Sequence, residues 1–192
     1  MGGFEEMYAG TPPWDIGRPQ PQFVRLEEDG EITGSVLDIG CGTGENALFL
    51  AGRGHDVWGI DFAPTAIAKA KAKAKQRDLK ATFRVSDALQ LQKLGRTFDT
   101  VIDSGLFHTF DDRDRVRFPR SLASVLPHGG RYRMMCFSER EPGDWGPRRV
   151  TQAEIRETFA KGWEIESIRA AKFEAIVEGG GAEAWLARIA SR

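Results

Sequence analysis

Apolar residues from position 35 onward occur in short runs, and segments of helix-forming composition lie between them. Five of these runs are predicted β-strands, at residues 35–40, 56–61, 82–85, 98–103 and 131–137. Four further segments are predicted helices, at residues 45–53, 64–77, 112–126 and 151–161. Because strands and helices alternate, we expect a mainly parallel sheet with helices on both faces, which is the doubly wound α/β class.

The C-terminal part departs from this alternation. Residues 164–169 and 184–189 predict two more strands, and the loop between them contains three consecutive glycines. This connection is too short for a helical crossover, so we expect the two strands to pair antiparallel.

Two of the predicted helices contain conflicting signals. Residues 66–76, AIAKAKAKAKQ, alternate as a strand does, but Ala and Lys favour helices and Pro64 suits a first helical turn. We therefore predict a helix whose lysines form a solvated face. In the segment 112–126, Pro119 should kink the helix or mark its true start.

Residues 1–33 differ in composition from the rest of the chain. Four prolines exclude a long helix in the middle of this stretch, which also carries Tyr8, Trp14 and Phe23. Large apolar side chains are rare in disordered leaders, so we expect residues 1–33 to form an N-terminal arm that docks as a lid on a domain at 34–192. A disordered leader is the alternative.

Composition narrows the classes of partner. The formal net charge is -1, which predicts no binding to nucleic acid or to an anionic membrane. The chain lacks an apolar run long enough to span a bilayer and a secretory signal pattern. Its two cysteines, Cys41 and Cys136, have no metal-ligand spacing, so we expect a reduced, cytoplasmic protein without a bound metal.

The stretch LDIGCGTGE follows the first predicted strand and carries glycines at positions 40, 42 and 44. Glycines there let a ligand approach the backbone at the N-terminus of the next helix. A dinucleotide fingerprint requires G-x-G-x-x-G, but its last position is Glu45, whose carboxylate would repel a pyrophosphate. This spacing favours a ligand without phosphates over NAD.

Two carboxylates follow the next two strands. Asp61 ends the second strand, where a carboxylate can accept both hydroxyls of a ribose, and Asp87 follows the third strand, where it can bind an adenine amino group. Either residue alone is equally well explained as a loop or cap carboxylate. Together with the glycines, they predict a pocket for adenosine.

The segment DIGCGTGENALFLA, together with Asp61, Asp87 and FDTVIDSGLFH, resembles the class I S-adenosylmethionine-dependent methyltransferases from about residue 34 to the end of the chain. The resemblance implies a seven-stranded sheet with an antiparallel last strand and S-adenosyl-L-methionine as cofactor. It also implies that the glycine loop contacts the methionine part, that Asp61 binds ribose, and that Asp87 and Phe62 lie at the adenine.

A narrower resemblance lies in PPWDIGRPQP at 12–21, DSGLFHTF at 103–110 and GPRRVTQAEI at 146–155. These segments are similar to small-molecule methyltransferases of the thiopurine, halide and tellurite-resistance type, and to actinobacterial enzymes that methylate heterocycles or quinone-like compounds. The resemblance implies that the arm closes over the cofactor. The full set of expected cofactor-binding residues is Trp14, Arg18, Gly40, Cys41, Gly42, Asn46, Asp61, Phe62, Asp87, Ala88, Asp103 and Ser104.

The chain lacks the residues that several other methyltransferase chemistries require. Residues 103–106 read DSGL, not the Asp/Asn-Pro-Pro-Tyr/Phe signature of DNA amino-group methylation. Neither cysteine lies in the Pro-Cys loop needed for cytosine C5 methylation. The carboxylates near the fourth strand do not form the metal-binding set of catechol-type enzymes.

The acceptor of the methyl group should lie past the fourth strand. His108 is the candidate general base there, with a structural histidine as the equal alternative. Asp15 and Arg149 are further catalytic candidates that would face the substrate, unless they tie the lid to the domain. Arg148 belongs to the same loop and has the same two interpretations, whereas Trp145 offers either a stacking surface for an aromatic ring or ordinary lid packing.

These features predict a methyltransferase for an O, S or N atom of a small aromatic or heteroaromatic molecule, acting as a monomer or weak homodimer. The alternatives are methylation of RNA or protein, a non-catalytic S-adenosylmethionine-binding module, and an oxidoreductase, which the glycine spacing disfavours.

Overall fold

A single sheet organises the protein, whose computed structural model describes residues 2–177 and 179–192. The seven strands are β1 (Ser35–Ile39), β2 (Asp56–Asp61), β3 (Thr82–Val85), β4 (Thr100–Ser104), β5 (Arg131–Phe137), β6 (Trp163–Glu174) and β7 (Gly181–Ser191). They lie in the order β3-β2-β1-β4-β5-β7-β6. The first five strands pair in parallel, and β7 is antiparallel to both β5 and β6. The predicted fold class and the antiparallel last strand are confirmed.

The sheet order reverses between β1 and β4, since the chain runs outward from β1 to β3 and then returns to the other side of β1. The carboxyl ends of the strands at such a switch leave a crevice, because the following loops diverge in opposite directions. The loop after β1 is the glycine-containing segment 40–44, so the fold places it at this crevice.

The helices cover both faces of the sheet. Successive side chains of a strand point to opposite faces, so the apolar side chains on each face need a covering layer. They are α1 (Gly2–Met7), α2 (Pro21–Glu28), α3 (Glu45–Gly52), α4 (Pro64–Gln76), α5 (Asp112–Ala123) and α6 (Gln152–Thr158). Leu37 and Ile39 of β1 share a core with α5 and α6, while Val36 shares the opposite core with α2, α3 and α4.

The segment of alternating Ala and Lys is helix α4, as predicted. Ala66, Ala70 and Ala74 recur every four residues and are buried, which gives α4 a narrow face that packs closely. The prediction of a fully solvated lysine face is wrong for Lys69 and Lys73. Lys69 donates to Gly10 O and Lys73 to Glu45, because both are on the side of α4 that faces the N-terminal segment and α3.

Helix α5 begins at Asp112, with Asp111 as its N-cap, so Pro119 lies inside the helix and does not mark its start. Two elements differ more clearly from the predictions. A 3₁₀ segment at Ala88–Leu94 fills the connection before β4, and β6 and β7 extend well beyond the predicted 164–169 and 184–189 because they form a long twisted hairpin.

The predicted arm falls into two parts. Phe23 and Leu26 of α2 are fully buried in the core beside Val36, so α2 packs as part of the domain. Residues 2–20, which we call the lid segment, lie over the carboxyl-terminal edge of the sheet; Met1 is outside the described residues. None of the described helices has both the length and the apolarity that crossing a bilayer requires.

Candidate cofactor and acceptor site

The glycine loop, residues 40–44, is shaped by positive φ angles. Gly42 has φ 54°, and a Cβ atom there would lie 2.9 Å from the Tyr8 hydroxyl of the lid segment. Gly44 has φ 87°, and its Cβ would meet the Phe83 ring at 2.9 Å. The loop therefore needs glycine for the approach of the lid on one side and for packing against β3 on the other.

Asp38 is buried in β1 immediately before the glycine loop. Its exposed fraction is 1%, and neither carboxylate oxygen has a hydrogen-bond partner among the described residues. Burial and the nearby Asp103 raise the pKa of Asp38 well above its usual range, and the Ala47 backbone N–H, which lies nearby but outside hydrogen-bond geometry, only partly offsets this effect. A buried carboxylate without a partner is costly, and a cationic ligand group would compensate it.

Asp61 at the end of β2 is held in one orientation by the backbone. Gly42 N–H donates to Oδ2 and Ala63 N–H donates to Oδ1, both at 2.8 Å. Burial raises its pKa, although these backbone donors act in the opposite direction. Each oxygen keeps the capacity for a second hydrogen bond, so the carboxylate is oriented rather than saturated.

The ends of β2 and β3 provide an exposed aromatic ring, Phe62, and a capping carboxylate, Asp87. Phe62 is 56% exposed directly after Asp61, which is unusual for an ordered Phe and leaves its ring free to be covered. Asp87 caps the 3₁₀ segment, accepting from Leu89 N–H at 2.8 Å and from Gln90 Nε2 at 2.9 Å. Ala88 is buried beside it.

The lid segment is anchored at several points around the glycine loop. Thr43 Oγ1 donates to Asp15 Oδ2 at 2.8 Å, and Gln20 N–H donates to Asn46 Oδ1 at 2.9 Å. Trp14 Nε1 donates to the Tyr8 hydroxyl at 3.1 Å. Tyr8 is only 4% exposed, and the charge of Asp61 adds to its burial in raising its pKa.

Further anchors tie the lid segment to α4 and β6. Glu5 accepts from the Thr65 hydroxyl and from its backbone N–H at the start of α4. Arg18 forms an ion pair with Glu174, and the Gln20 side chain donates to Glu174 O at 2.8 Å. These contacts hold the segment from both ends against the domain.

His108 lies in a 3₁₀ turn, Phe107–Thr109, just beyond β4. The Phe137 backbone N–H donates to His108 Nδ1 at 3.0 Å, and the rings of Phe137 and Phe173 flank the imidazole. Burial, with a smaller contribution from the Arg149 charge, lowers the pKa of His108 to about 3. The imidazole is therefore neutral at physiological pH and carries its proton on Nε2.

The Arg149 side chain folds back onto the loop that carries it. Its guanidinium donates to the backbone carbonyls of Glu141, Pro142, Gly143, Trp145 and Pro147. It also lies over the rings of Phe137 and Trp145, with its central carbon 5.5 and 5.7 Å from the centroids. Arg149 thus shapes the segment after β5 and holds Trp145 in place.

An open cleft of about 740 Å³ lies at the carboxyl ends of β4 and β5. Its walls are Phe4, His108, Thr109, Phe110, Asp111, Asp112, Arg113, Pro147 and Arg148. The turn that carries His108 adjoins the glycine loop, because a Cβ at Gly40 would be 3.0 Å from Leu106, two residues before His108. No group of three or more His, Cys, Asp or Glu in the described parts of the chain has a geometry that would hold a metal ion.

Comparison with known proteins agrees with this arrangement. Residues 36–130 match the model of a family described as "Methyltransferase domain". A 2-heptyl-1-hydroxyquinolin-4(1H)-one methyltransferase of Mycobacteroides abscessus is 39% identical over 184 residues, which cover 93% of this chain and 81% of that protein. The chain belongs to the S-adenosylmethionine-dependent methyltransferases.

Two solved structures of other proteins share the fold of this chain. One, solved in work on the conversion of a disulfide bond into a thioacetal group during echinomycin biosynthesis, has a TM-score of 0.90 and 38% identity, covering 98% of this chain and 91% of the other. Magnesium protoporphyrin IX methyltransferase from Synechocystis PCC 6803, with bound cofactor, has a TM-score of 0.68 and 22% identity, covering 100% and 81%, and shows the shared fold.

The residues at the crevice of this methyltransferase fit S-adenosylmethionine. The unpartnered Asp38 suits a cation, the oriented Asp61 suits a vicinal diol, and the exposed Phe62 suits a flat base. The expected repulsion between Glu45 and phosphate is wrong, because Glu45 is neutralised by Lys73 and Arg77 at 2.7 and 2.8 Å. The prediction of a ligand without phosphates therefore rests on the glycine spacing and on the buried carboxylates of Asp38 and Asp61.

The structure does not bring together all of the predicted site residues. Trp14, Gly40, Gly42, Asp61 and Phe62 surround the crevice of the methyltransferase. Cys41 is half-buried beside them, with Sγ 3.6 Å from Gly42 O, and Ser104 is half-buried at the end of β4. Arg18 and Asn46 are engaged in the lid contacts described above.

Three of the predicted site residues, Asp103, Asp15 and Arg149, are engaged in hydrogen bonds within the protein. Asp103 is fully buried and accepts from Leu106 N–H, Phe107 N–H and the Tyr132 hydroxyl, so it orders the turn after β4. Burial raises its pKa to about 7. Asp15 and Arg149, the two further catalytic candidates, are bonded to Thr43 and to loop carbonyls respectively, which leaves neither of them directed at an acceptor.

Two contributors to the site had no place in the sequence-based prediction. Asp38 has a recognisable signal, since it is the one charged residue in the apolar strand SVLDI. Tyr8 has none, because its burial over Gly42 depends on the path of the lid segment.

Proposed function

We propose that this enzyme transfers the methyl group of S-adenosylmethionine to an oxygen, sulfur or nitrogen atom of a small aromatic or heteroaromatic molecule. The observation that carries the proposal is the cleft of about 740 Å³ at the carboxyl ends of β4 and β5, with the rings of Phe4, His108 and Phe110 in its wall. That size is in the range of small-molecule sites. The quinolone substrate in the name of the Mycobacteroides relative supports the aromatic class.

When bound, the cofactor supplies an electrophilic methyl group on a sulfonium. We assign the positioning of this group to the crevice residues: Asp38 pairs with the ammonium of the methionine part, Asp61 accepts from the ribose hydroxyls, and Phe62 covers the adenine. Asp87 keeps lone pairs for the adenine amino group in addition to its capping bonds. The protein thereby contributes orientation, which accounts for much of the rate in an in-line displacement.

The lid segment, residues 2–20, excludes water from the reaction. Tyr8 lies over the glycine loop with Trp14 bonded to its hydroxyl, and Phe4 of the same segment lines the acceptor cleft. Closing the segment would therefore complete the cofactor pocket and one wall of the acceptor cleft at the same time. We place the enzyme in the reducing cytoplasm, as a monomer or weak homodimer, consistent with the free thiols of Cys41 and Cys136.

The test is a turnover assay. Purified protein is incubated with S-adenosylmethionine and a panel of thiols, phenols and hydroxyquinolines, and the release of S-adenosylhomocysteine is measured. We expect turnover of at least one aromatic acceptor and none of tRNA or peptide. Binding of the cofactor without turnover of any panel member would contradict the proposal, as would methylation of tRNA or peptide alone.

A further inference from the structure

The protonation state of His108 limits what it can do in the reaction. Its Nδ1 is occupied by the Phe137 N–H, an immobile donor in β5, and Nε2 therefore holds the proton. A neutral imidazole in this tautomer can donate from Nε2 but has no free lone pair to remove a proton from a substrate. Taking up a second proton would place an imidazolium between two phenylalanine rings, in a buried site.

The other titratable groups near the cleft are also unsuited to act as a base. Asp112 at the rim is exposed and paired with Arg148 and Arg115, and Arg148 holds its pKa below the usual range. Asp111 is exposed and accepts from Asp114 N–H as the cap of α5. Asp103 beneath the turn is fully buried, and its oxygens accept from Leu106 N–H, Phe107 N–H and the Tyr132 hydroxyl.

Charged groups of both signs line the cleft, including Asp111 and Asp112. Arg149 is close enough to His108 to affect its titration, and Arg113 and Arg148 line the cleft. Among the groups facing His108, Phe137, Phe173 and Gly105 are uncharged. The Arg149 charge, which opposes an imidazolium, favours an anion in the same place, whereas burial alone favours neither charge.

We propose that the enzyme selects acceptors that are already anionic near neutral pH, an acidic hydroxyl or thiol on an aromatic ring, and that His108 binds this anion through its Nε2–H and does not act as a base. The proposal rests on the proposed methyl transfer to a small molecule and narrows its substrate class. His108 is then a binding and positioning group for the acceptor.

The chemical step balances without a protein base. The acceptor loses its proton to solvent before it binds, so that an oxygen or sulfur anion enters the cleft. Its lone pair forms the bond to the methyl carbon while the carbon–sulfur bond of the sulfonium breaks. The bonding electrons remain on that sulfur, which becomes a neutral thioether, and the methylated acceptor is neutral.

The first test follows kcat/KM against pH for hydroxyl acceptors of one ring system, 4-substituted phenols, whose pKa values differ by about three units. We expect the midpoint of each profile to move with the pKa of the acceptor, and phenols that titrate near pH 10 to react only at alkaline pH. One midpoint shared by all acceptors would overturn the proposal, because it would report a base in the protein. If no acceptor is methylated although calorimetry shows cofactor binding, the proposed function fails, and this proposal fails with it.

The second test compares two substitutions at His108. In His108→Gln, the amide keeps one acceptor for Phe137 N–H and one donor, but it cannot titrate. We expect His108→Gln to stay within about tenfold of the wild-type kcat, and His108→Phe to raise KM for the anionic acceptor by roughly tenfold or more. The matched control is His128→Gln, since His128 is exposed in the turn before β5. A loss of roughly a hundredfold or more in kcat for His108→Gln would identify a general base and contradict the proposal.

A third measurement does not depend on turnover. Nitrogen NMR of the imidazoles in the intact protein should show His108 with the proton on Nε2 at neutral pH and no titration down to about pH 4. A proton on Nδ1, or a midpoint near neutrality, would overturn the assignment even if His108→Phe does not fold.

Discussion

At the scale of single residues, the site is defined by what its carboxylates already bind. Asp61 accepts hydrogen bonds from two backbone N–H groups and is oriented toward the crevice. Asp103 instead accepts hydrogen bonds from the turn after β4 and from the Tyr132 hydroxyl. Asp38 differs from both, because its oxygens have no partner in the described chain. Three similar side chains therefore differ in what they bind: Asp61 is oriented by backbone N–H groups, Asp103 shapes a turn, and Asp38 has no partner in the described chain.

Replacing Asp38 with Asn should stabilise the protein without cofactor and weaken cofactor binding. The raised pKa means that the folded state favours the protonated acid, so Asp38 lowers stability increasingly as pH rises above about 4, the unfolded value. The melting temperature of Asp38→Asn should exceed that of the wild type at pH 7, and the difference should disappear near pH 3.

The same variant should bind S-adenosylmethionine roughly tenfold more weakly or worse, because a charged partner of the ammonium is lost. Thermal denaturation across pH and calorimetric titration provide the two readouts. Unchanged affinity in a folded variant would remove Asp38 from the cofactor site.

At the scale of elements, the strands and most helices were predictable because their patterns are local. The boundaries of β2, β3 and β5 agree with the prediction to the residue, since their apolar runs end at turn-forming residues. The lid segment was predictable only as a docking arm, because its contacts join residues far apart in the chain, such as Glu5 with Thr65. The roles of His108 and Arg149 depend in the same way on partners that only the folded loops bring near.

Substitution of Asp15 tests whether this residue acts by holding the lid segment closed or by taking part in the chemical step. Asp15→Ala removes the acceptor of Thr43 Oγ1 and the carboxylate that pairs with Lys73, so the segment should open more often. We expect the KM for S-adenosylmethionine to rise by about tenfold with a smaller change in kcat. Hydrogen exchange at the Tyr8 amide should become faster.

The control for Asp15→Ala is Asp29→Ala, which removes an exposed carboxylate from the end of α2. It should change neither KM nor exchange at Tyr8. A large fall in kcat at constant KM in Asp15→Ala would instead indicate that Asp15 takes part in the chemical step.

Helix α6 provides a test of the electrostatics of the loop after β5. Glu154 forms a capping box with Thr151 and pairs with Arg115 and Arg148, and together these contacts outweigh its partial burial and lower its pKa to about 2. A depressed pKa adds stability above the unfolded value of about 4.5, and this contribution is lost as pH falls toward 2.

Glu154→Gln should therefore lower the free energy of unfolding by about 2 kcal/mol at pH 7, a value reduced for partial exposure to solvent. The difference from wild type should shrink as pH falls through the range 4 to 2. Denaturant unfolding at several pH values measures this, and a difference that stays constant with pH would contradict the assignment.

At the scale of the whole molecule, the sheet order brings the glycine loop, the lid segment and the turn after β4 to one edge. The parallel strands place Asp38, Asp61 and His108 at that edge, although they are separated by long stretches of chain. Sequence patterns predict which strand each residue follows, and the switch in strand order then brings these strand ends together. They do not predict the direction of each side chain, which depends on hydrogen bonds across elements.

The activity of this methyltransferase depends first on which ligand binds at the glycine loop. Calorimetric titration of the purified protein with S-adenosylmethionine, S-adenosylhomocysteine and NAD, under one set of conditions, tests this directly. We expect both adenosyl compounds to bind with one site per chain and NAD to give no heat of binding. Binding of NAD without binding of either adenosyl compound would contradict the account.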